Sequence, residues 1–319
     1  MPEIDHGTSE SRGRKGPRFL RIVIAILIVV TLFAVALPLQ SNRSTEIPPT
    51  PAGIAYSTHS PIYIYGNAAF IPANGVTGGN GSQSNPYIIS GWDIDPLSTN
   101  NQGIWIEGTT AYFMIRDCYI HRGAGIGYCG IYLKNCMNGI VSNNTCFQNL
   151  VGIYLSSSNG NTLINNTISN EDFYGIQLRD LSNNNIITRN RILNCSSYGV
   201  MVESEPNNVI WHNVFFGNNG ASIVRDPAHV QAYDGGANNR WNAIGSPIGY
   251  GNYWSDWRTP DADSDGIVDI SYNLTGSAGA KDYYPVVSLV PGIPEPSMLI
   301  LAGIMTMVFM MVGRTRKKP

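Results

Sequence analysis

The stretch Asp261-Ala-Asp263-Ser-Asp265-Gly266-Ile267-Val-Asp269 carries the sharpest chemistry in the sequence. Alternate aspartates place carboxylate oxygens on one side of a short loop. Gly266 permits the turn, and the carbonyl of Ile267 adds another oxygen. Ca2+ takes about six to eight hard oxygen ligands of this kind. The loop departs from an EF-hand: Tyr272 stands at position twelve, where a bidentate glutamate belongs, and no helical pattern flanks it. Asp256 and Asp282 are further candidates for the shell. The expectation is a Ca2+ site at Asp261, Asp263, Asp265, Ile267 and Asp269; a solvated acidic turn closing the last repeat is the alternative.

A second set of residues recurs along the chain. Trp105, Tyr132 and Tyr154 each sit inside a Gly-Ile-x-(Ile/Leu) phrase, and two positions later come Glu107, Lys134 and Ser156, continued by Arg179 and Glu203. Aromatic rings flanked by hydrogen-bonding groups can grip a sugar by its apolar side and its hydroxyls. The predicted ligand platform is Trp105, Tyr132 and Tyr154 with Glu107, Lys134 and Arg179. Stacked aromatics that only stabilise a sheet are the alternative. Catalytic residues are not assigned. Glycoside hydrolysis needs two facing carboxylates, and Glu107, Asp117, Asp180 and Glu203 do not stack on adjacent coils in this register. Arg258, beside the acidic loop, is the one basic residue there that a lyase could use.

These spacings imply the element that positions them. Gly103, Gly130, Gly152, Gly175 and Gly199 open the phrases Gly-Ile-Trp-Ile, Gly-Ile-Tyr-Leu (twice), Gly-Ile-Gln-Leu and Gly-Val-Met-Val. Further aliphatics follow at Ile115, Val141, Leu163, Ile187 and Ile210, then turn positions at Cys118, Asn144, Asn166, Asn190 and Asn213, then apolar residues at Ile120, Cys146, Ile168, Ile192 and Phe215. Positions two apart share a strand face, so Ile131 and Leu133 point inward and Tyr132 outward. By the same register Leu155 is inward, and Ser156 is outward and inexpensive to replace. One coil cannot bury its apolar face alone, but coils stacked about 4.8 Å apart form a continuous core. Asparagine suits sharp left-handed bends and can bond along the stack, so its columns need no catalytic explanation. The leucine density of a leucine-rich repeat and the four-strand unit of a propeller are absent. Parallel crossovers are right-handed by strong preference. The predicted fold is all-β: a right-handed parallel β-helix over 61–250, capped by 251–290.

Apolar segments frame this body. Residues 19–40 follow a basic n-region, 1–18, and fit either a cleaved signal peptide or a retained anchor. Residues 41–60 read as a linker, 291–296 as a Pro-rich linker, 297–313 as a transmembrane segment and 314–319 as a basic tail. Basic residues outside both apolar segments predict an extracytoplasmic body anchored to a membrane. Between those ends 11 basic residues face 19 acidic ones, which argues against nucleic acid as a partner. The five cysteines match no zinc spacing and read as small buried hydrophobes, with room for a bridge.

The run from Gly152, Gly-Ile-Tyr-Leu-Ser-Ser-Ser-Asn-Gly-Asn-Thr-Leu-Ile-Asn-Asn-Thr-Ile, resembles the NosD-like, carbohydrate-binding and sugar-hydrolase type of β-helix repeat. The flanks Asn85-Pro-Tyr-Ile-Ile-Ser-Gly-Trp-Asp-Ile and Gly251-Asn-Tyr-Trp-Ser-Asp-Trp resemble archaeal surface members of that group. The resemblance covers roughly residues 60 to 286 and implies fold rather than activity. It points to glycan or another surface polymer as partner; a polysaccharide lyase or hydrolase and a structural envelope component are the other readings. The Gly-His-Gly and Arg-Ile-Lys strings of polygalacturonases, which share the architecture, are absent. Copper handling belongs to the group's namesake, and Cu(I) wants clustered soft ligands. Outside the terminal segments the methionines are Met114, Met137 and Met201, and His59, His121, His212 and His229 have no paired spacing. No copper site is expected, and each histidine reads as a surface or turn residue. Pro294-Glu295-Pro296 before an apolar segment and basic tail is similar to a Pro-Glu-Pro sorting signal, which implies a sorting protease as partner; a plain tail anchor fits equally.

Overall fold

The computed structural model describes residues 55–96, 102–123, 128–243 and 250–288. The expected signal or anchor, the C-terminal apolar segment and the Pro294–Pro296 motif lie outside these residues. Among the described residues no helix is long and apolar enough to cross a membrane.

The body is an all-β, right-handed parallel solenoid with three sheets. The first contains Ile62–Tyr65, Ile104–Thr109, Cys129–Cys136, Val151–Ser156, Tyr174–Arg179, Val200–Val202 and Ala232–Asp234. The second runs through Tyr87–Ser90, Phe113–Arg116, Gly139–Ser142, Thr162–Ile164, Ile186–Thr188 and Val209–Trp211, with Val76–Gly78 added antiparallel at its edge. The third begins at Ser57–Thr58 and ends at Tyr253–Trp254. All other pairings between neighbouring strands of the three sheets are parallel, and on the first sheet they stack inward aliphatics on one another. Ile104, Ile131, Ile153, Ile176 and Val200 form one inward column. Ile106, Leu133, Leu155, Leu178 and Val202 form a second, and all ten are fully buried. The repeated glycine has a steric cause. A Cβ at Gly103, Gly130, Gly152 or Gly175 would lie 2.5–2.7 Å from the carbonyl oxygen of the next glycine in the series.

Asparagine does two jobs. At the corners it takes the left-handed backbone (φ 54° at Asn143 and 58° at Asn165), in positions continued by Arg189 and His212. Inside the turns it forms buried ladders. The backbone N–H and Nδ2 of Asn144 both donate to Oδ1 of Asn166, at 3.0 Å. Asn166, Asn190 and Asn213 repeat the bond to Asn190, Asn213 and Asn252. Cys118 heads this column by donating its N–H to Asn144 Oδ1. A parallel ladder runs through Asn161, Asn185, Asn208 and Asn239. The ladders satisfy backbone groups that the tight turns withdraw from water, where an unmet donor costs about 1–3 kcal/mol.

Candidate functional site

The outward face of the first sheet carries the predicted ring column, and the register lengthens it by one. Tyr63 pairs with Trp105, Trp105 with Tyr132, and Tyr132 with Tyr154. Ring centroids are 4.7 Å apart for Tyr63–Trp105, 5.5 Å for Trp105–Tyr132 and 4.8 Å for Tyr132–Tyr154. The last two rings are parallel within 8°. Flat rings lying side by side would clash at that distance, so they overlap face on face with an offset. Inner members therefore present ring edges outward, like ribs, with Trp105 Nε1 buried and without a partner, and half-exposed Tyr63 closes the row. Gln177, Met201 and Tyr233 continue the column without an unbroken stack. Burial and the neighbouring Tyr132 push the Tyr154 hydroxyl up to about 12, so it stays protonated and can both donate and accept.

The flanking column is also where the register puts it: Tyr65, Glu107, Lys134, Ser156 and Arg179 lie on successive strands. Its charges are matched. Lys134 Nζ lies 3.0 Å from Glu107 Oε1, and Arg179 Nε donates to Glu203 at 2.5 Å. Ser156 corrects an expectation: it faces outward but is buried, because its hydroxyl donates to Asp180 at 2.8 Å between the long neighbours Lys134 and Arg179.

Carboxylates at the C-terminal end serve two purposes. Ligand oxygens of Asp261, Asp263 and Asp265 come within 4.8 Å of one another. Four aspartates of the loop also brace its backbone: Asp261 Oδ2 accepts from Gly266 N–H, Asp263 Oδ1 from Asp265 N–H, Asp265 Oδ1 from Ile267 N–H, and Asp269 Oδ2 from Ala262 N–H. Asp261 Oδ1 is buried without a partner. Asp256 and Asp282, the further candidates for the shell, do not join this group. Asp282 is fully buried and ends the first ladder: Asn252 N–H and Nδ2 and Trp254 Nε1 all donate to its Oδ2. Asn239 ends the second ladder on buried Asp234, at 2.8 Å. Asp256 receives Nε2 of Gln231, itself bonded by Asn218, at 2.6 Å. A carboxylate only accepts, so it can close a run of donors without needing an acceptor of its own.

Two features escaped the sequence reading. His121 is buried rather than a surface residue; its Nε2 meets Asp93 at 2.8 Å and its ring stacks on Tyr119. His121 Nδ1 and the hydroxyls of Tyr56 and Tyr119 are buried without partners. Near the cap, a groove of roughly 500 Å³ is lined by Ile223, Val224, Arg225, Trp257 and Arg258 among others. There Arg225 lies 4.5 Å over the Tyr272 ring and 3.4 Å from Asp256. The five cysteines are free thiols and buried, as small hydrophobes would be, with no bridge among them. Burial pushes Cys118, Cys129 and Cys136 up to about 12.

No curated protein matches this chain. Among solved structures, two mutants of the periplasmic alginate epimerase AlgG are similar at 18% and 17% identity, with TM-scores of 0.40 and 0.38. An alginate lyase from Paenibacillus sp. str. FPU-7 is similar at 17% identity with a TM-score of 0.32. The matches cover 59%, 61% and 56% of this chain but 38%, 40% and 65% of those chains, and at that level neither activity carries over. Residues 52–259, about two thirds of the chain, match the family described as periplasmic copper-binding protein (NosD). The chain belongs to the NosD family.

Proposed function

We propose that this is an extracytoplasmic, membrane-anchored, non-catalytic protein that binds a surface polysaccharide across the outward face of its first sheet. The observation that carries the reading is the row Tyr63, Trp105, Tyr132 and Tyr154, partly exposed on successive coils beside a column of hydrogen-bonding side chains. Ring edges and hydroxyls repeating every 5 Å or so meet a polymer whose own hydroxyls repeat along its length. The periplasmic family and the apolar, basic-flanked ends of the sequence support the location.

On this face Glu107 and Glu203 each sit against a cation, which favours a binding role over hydrolysis by two free carboxylates. The family description speaks of copper, but the soft donors described here do not converge. Met114 faces out from the second sheet and Met201 from the first, burial holds the Cys118, Cys129 and Cys136 thiols protonated, and His121 is engaged with Asp93. Ca2+ held by Asp261, Asp263, Asp265, Asp269 and the Ile267 carbonyl would serve the cap rather than the sugar.

Binding and stability separate in one experiment. Tyr132→Ala and Tyr154→Ala should weaken polysaccharide affinity at least tenfold at a temperature where both variants remain folded. Parent-like binding by both variants would leave the row a purely structural rib.

A further inference from the structure

We infer that this face selects an uncharged polysaccharide and discriminates against polyuronates; the inference rests on the binding reading above and names its substrate class. A chain of uronic acids carries one carboxylate per sugar, so a face that holds it closely must offer a free cation for each carboxylate it desolvates. Here the cations are already matched. Lys134 Nζ is 3.0 Å from Glu107, and Arg179 Nε is 2.5 Å from Glu203. Asp180, which follows Arg179 at the strand's end and accepts from the Ser156 hydroxyl, adds a third carboxylate beside this column. Three acids against two bases leave this strip of the face mildly negative. The ring column beside it contributes Gln177 and Met201 beyond the aromatics and no charge at all. A uronate carboxylate placed over the ribs would meet Glu107, Glu203 and Asp180 and would have to break an existing ion pair to find a partner. A neutral sugar displaces only water there, and its hydroxyls can share the lone pairs of the same carboxylates. Selectivity of this kind arises from repulsion of the wrong ligand as much as from attraction of the right one.

The test uses the full chain in a detergent without a sugar head group. Affinity is measured for mixed-linkage β-glucan and galactomannan, and for polygalacturonate and alginate, at 20 mM and at 500 mM NaCl. The expected result is retention of at least one neutral polymer, with affinity changing less than twofold between the two salts, and binding of both polyuronates at least tenfold weaker. A Glu107→Gln, Glu203→Gln double variant, which unmasks Lys134 and Arg179, should gain polyuronate affinity severalfold at 20 mM NaCl and lose that gain at 500 mM. Polyuronates binding the parent as tightly as neutral polymers, or a double variant without the gain, would overturn the charge argument while leaving a polysaccharide-binding face. No retention of any of the four polymers would overturn both.

Discussion

Asn252 directs two hydrogens onto one oxygen: its backbone N–H and its Nδ2 both donate to Oδ2 of Asp282, at 2.6 and 3.1 Å. The ladder that starts at Cys118 thus ends on a carboxylate with no water around it, and burial pushes that carboxyl up to about 6 despite its donors. A folded pKa above the unfolded one means that Asp282 favours the folded state most below about pH 4, and that this advantage is lost as pH rises through 6. At 1.36 kcal/mol per pH unit the effect is bounded at about 3 kcal/mol. Asp234 is displaced upward as well, through its own burial, whereas burial and Arg189 draw His212 down to about 4, which costs stability as pH falls below 6.5. The contribution of Asp282 is isolated by melting the parent and Asp282→Asn from pH 4.5 to 7.5. The parent's stability relative to the variant should decline as pH rises, and a constant difference would contradict the role given to this carboxyl.

Leu155 and Ser156 are neighbours on one strand with opposite directions and similar burial. Leu155→Ala should cost about 2–5 kcal/mol by leaving a cavity in the stacked core. Ser156→Ala removes one hydroxyl hydrogen bond to Asp180 and should cost about 1 kcal/mol. Denaturant unfolding of both variants checks the order, and equal losses would overturn the register.

Much of this fold could be read in the sequence because a solenoid repeats its constraints. The Gly-Ile-Tyr-Leu phrase combines a glycine with no room for a Cβ, two inward aliphatics and one outward ring, so a register drawn from Gly130 and Gly152 places Tyr132 beside Tyr154 correctly. Tyr63 was missed because 42 residues separate it from Trp105, well beyond the spacing of 22–27 between the phrases. The second ladder, Asn161 to Asn239, was hidden because asparagines in corners and in ladders look alike in a sequence. Asp256 and Asp282 were read as possible cation ligands because acidic residues near an acidic loop suggest one site. Their partners, Gln231 and Asn252, lie 25 and 30 residues away, beyond the last repeated phrase at Gly199, where no column marks them.

Calcium tests the loop that does remain. Without a cation, the carboxylates of Asp261, Asp263 and Asp265 repel one another within 4.8 Å. Binding only to the folded state would raise stability by about 2.7 kcal/mol at a Ca2+ concentration one hundred times Kd. Residues 41–290 should therefore melt higher in Ca2+ than in chelator, and Asp263→Asn should shrink the difference. Identical melting in both solutions would reduce the loop to a solvated turn.

The most direct test of the binding face is hydroxyl-radical footprinting of the protein with and without a saturating polysaccharide ligand. Tyrosines distribute well for this purpose: Tyr63 and Tyr65 are exposed on the proposed face, and Tyr283 and Tyr284 are exposed on the cap. Binding along the first sheet predicts protection of Tyr63, Tyr65, Tyr132 and Tyr154 with Tyr283 and Tyr284 unchanged. Protection at Tyr283 and Tyr284, or around Ile223 and Trp257 in the cap groove, with the four sheet tyrosines still reactive, would contradict it.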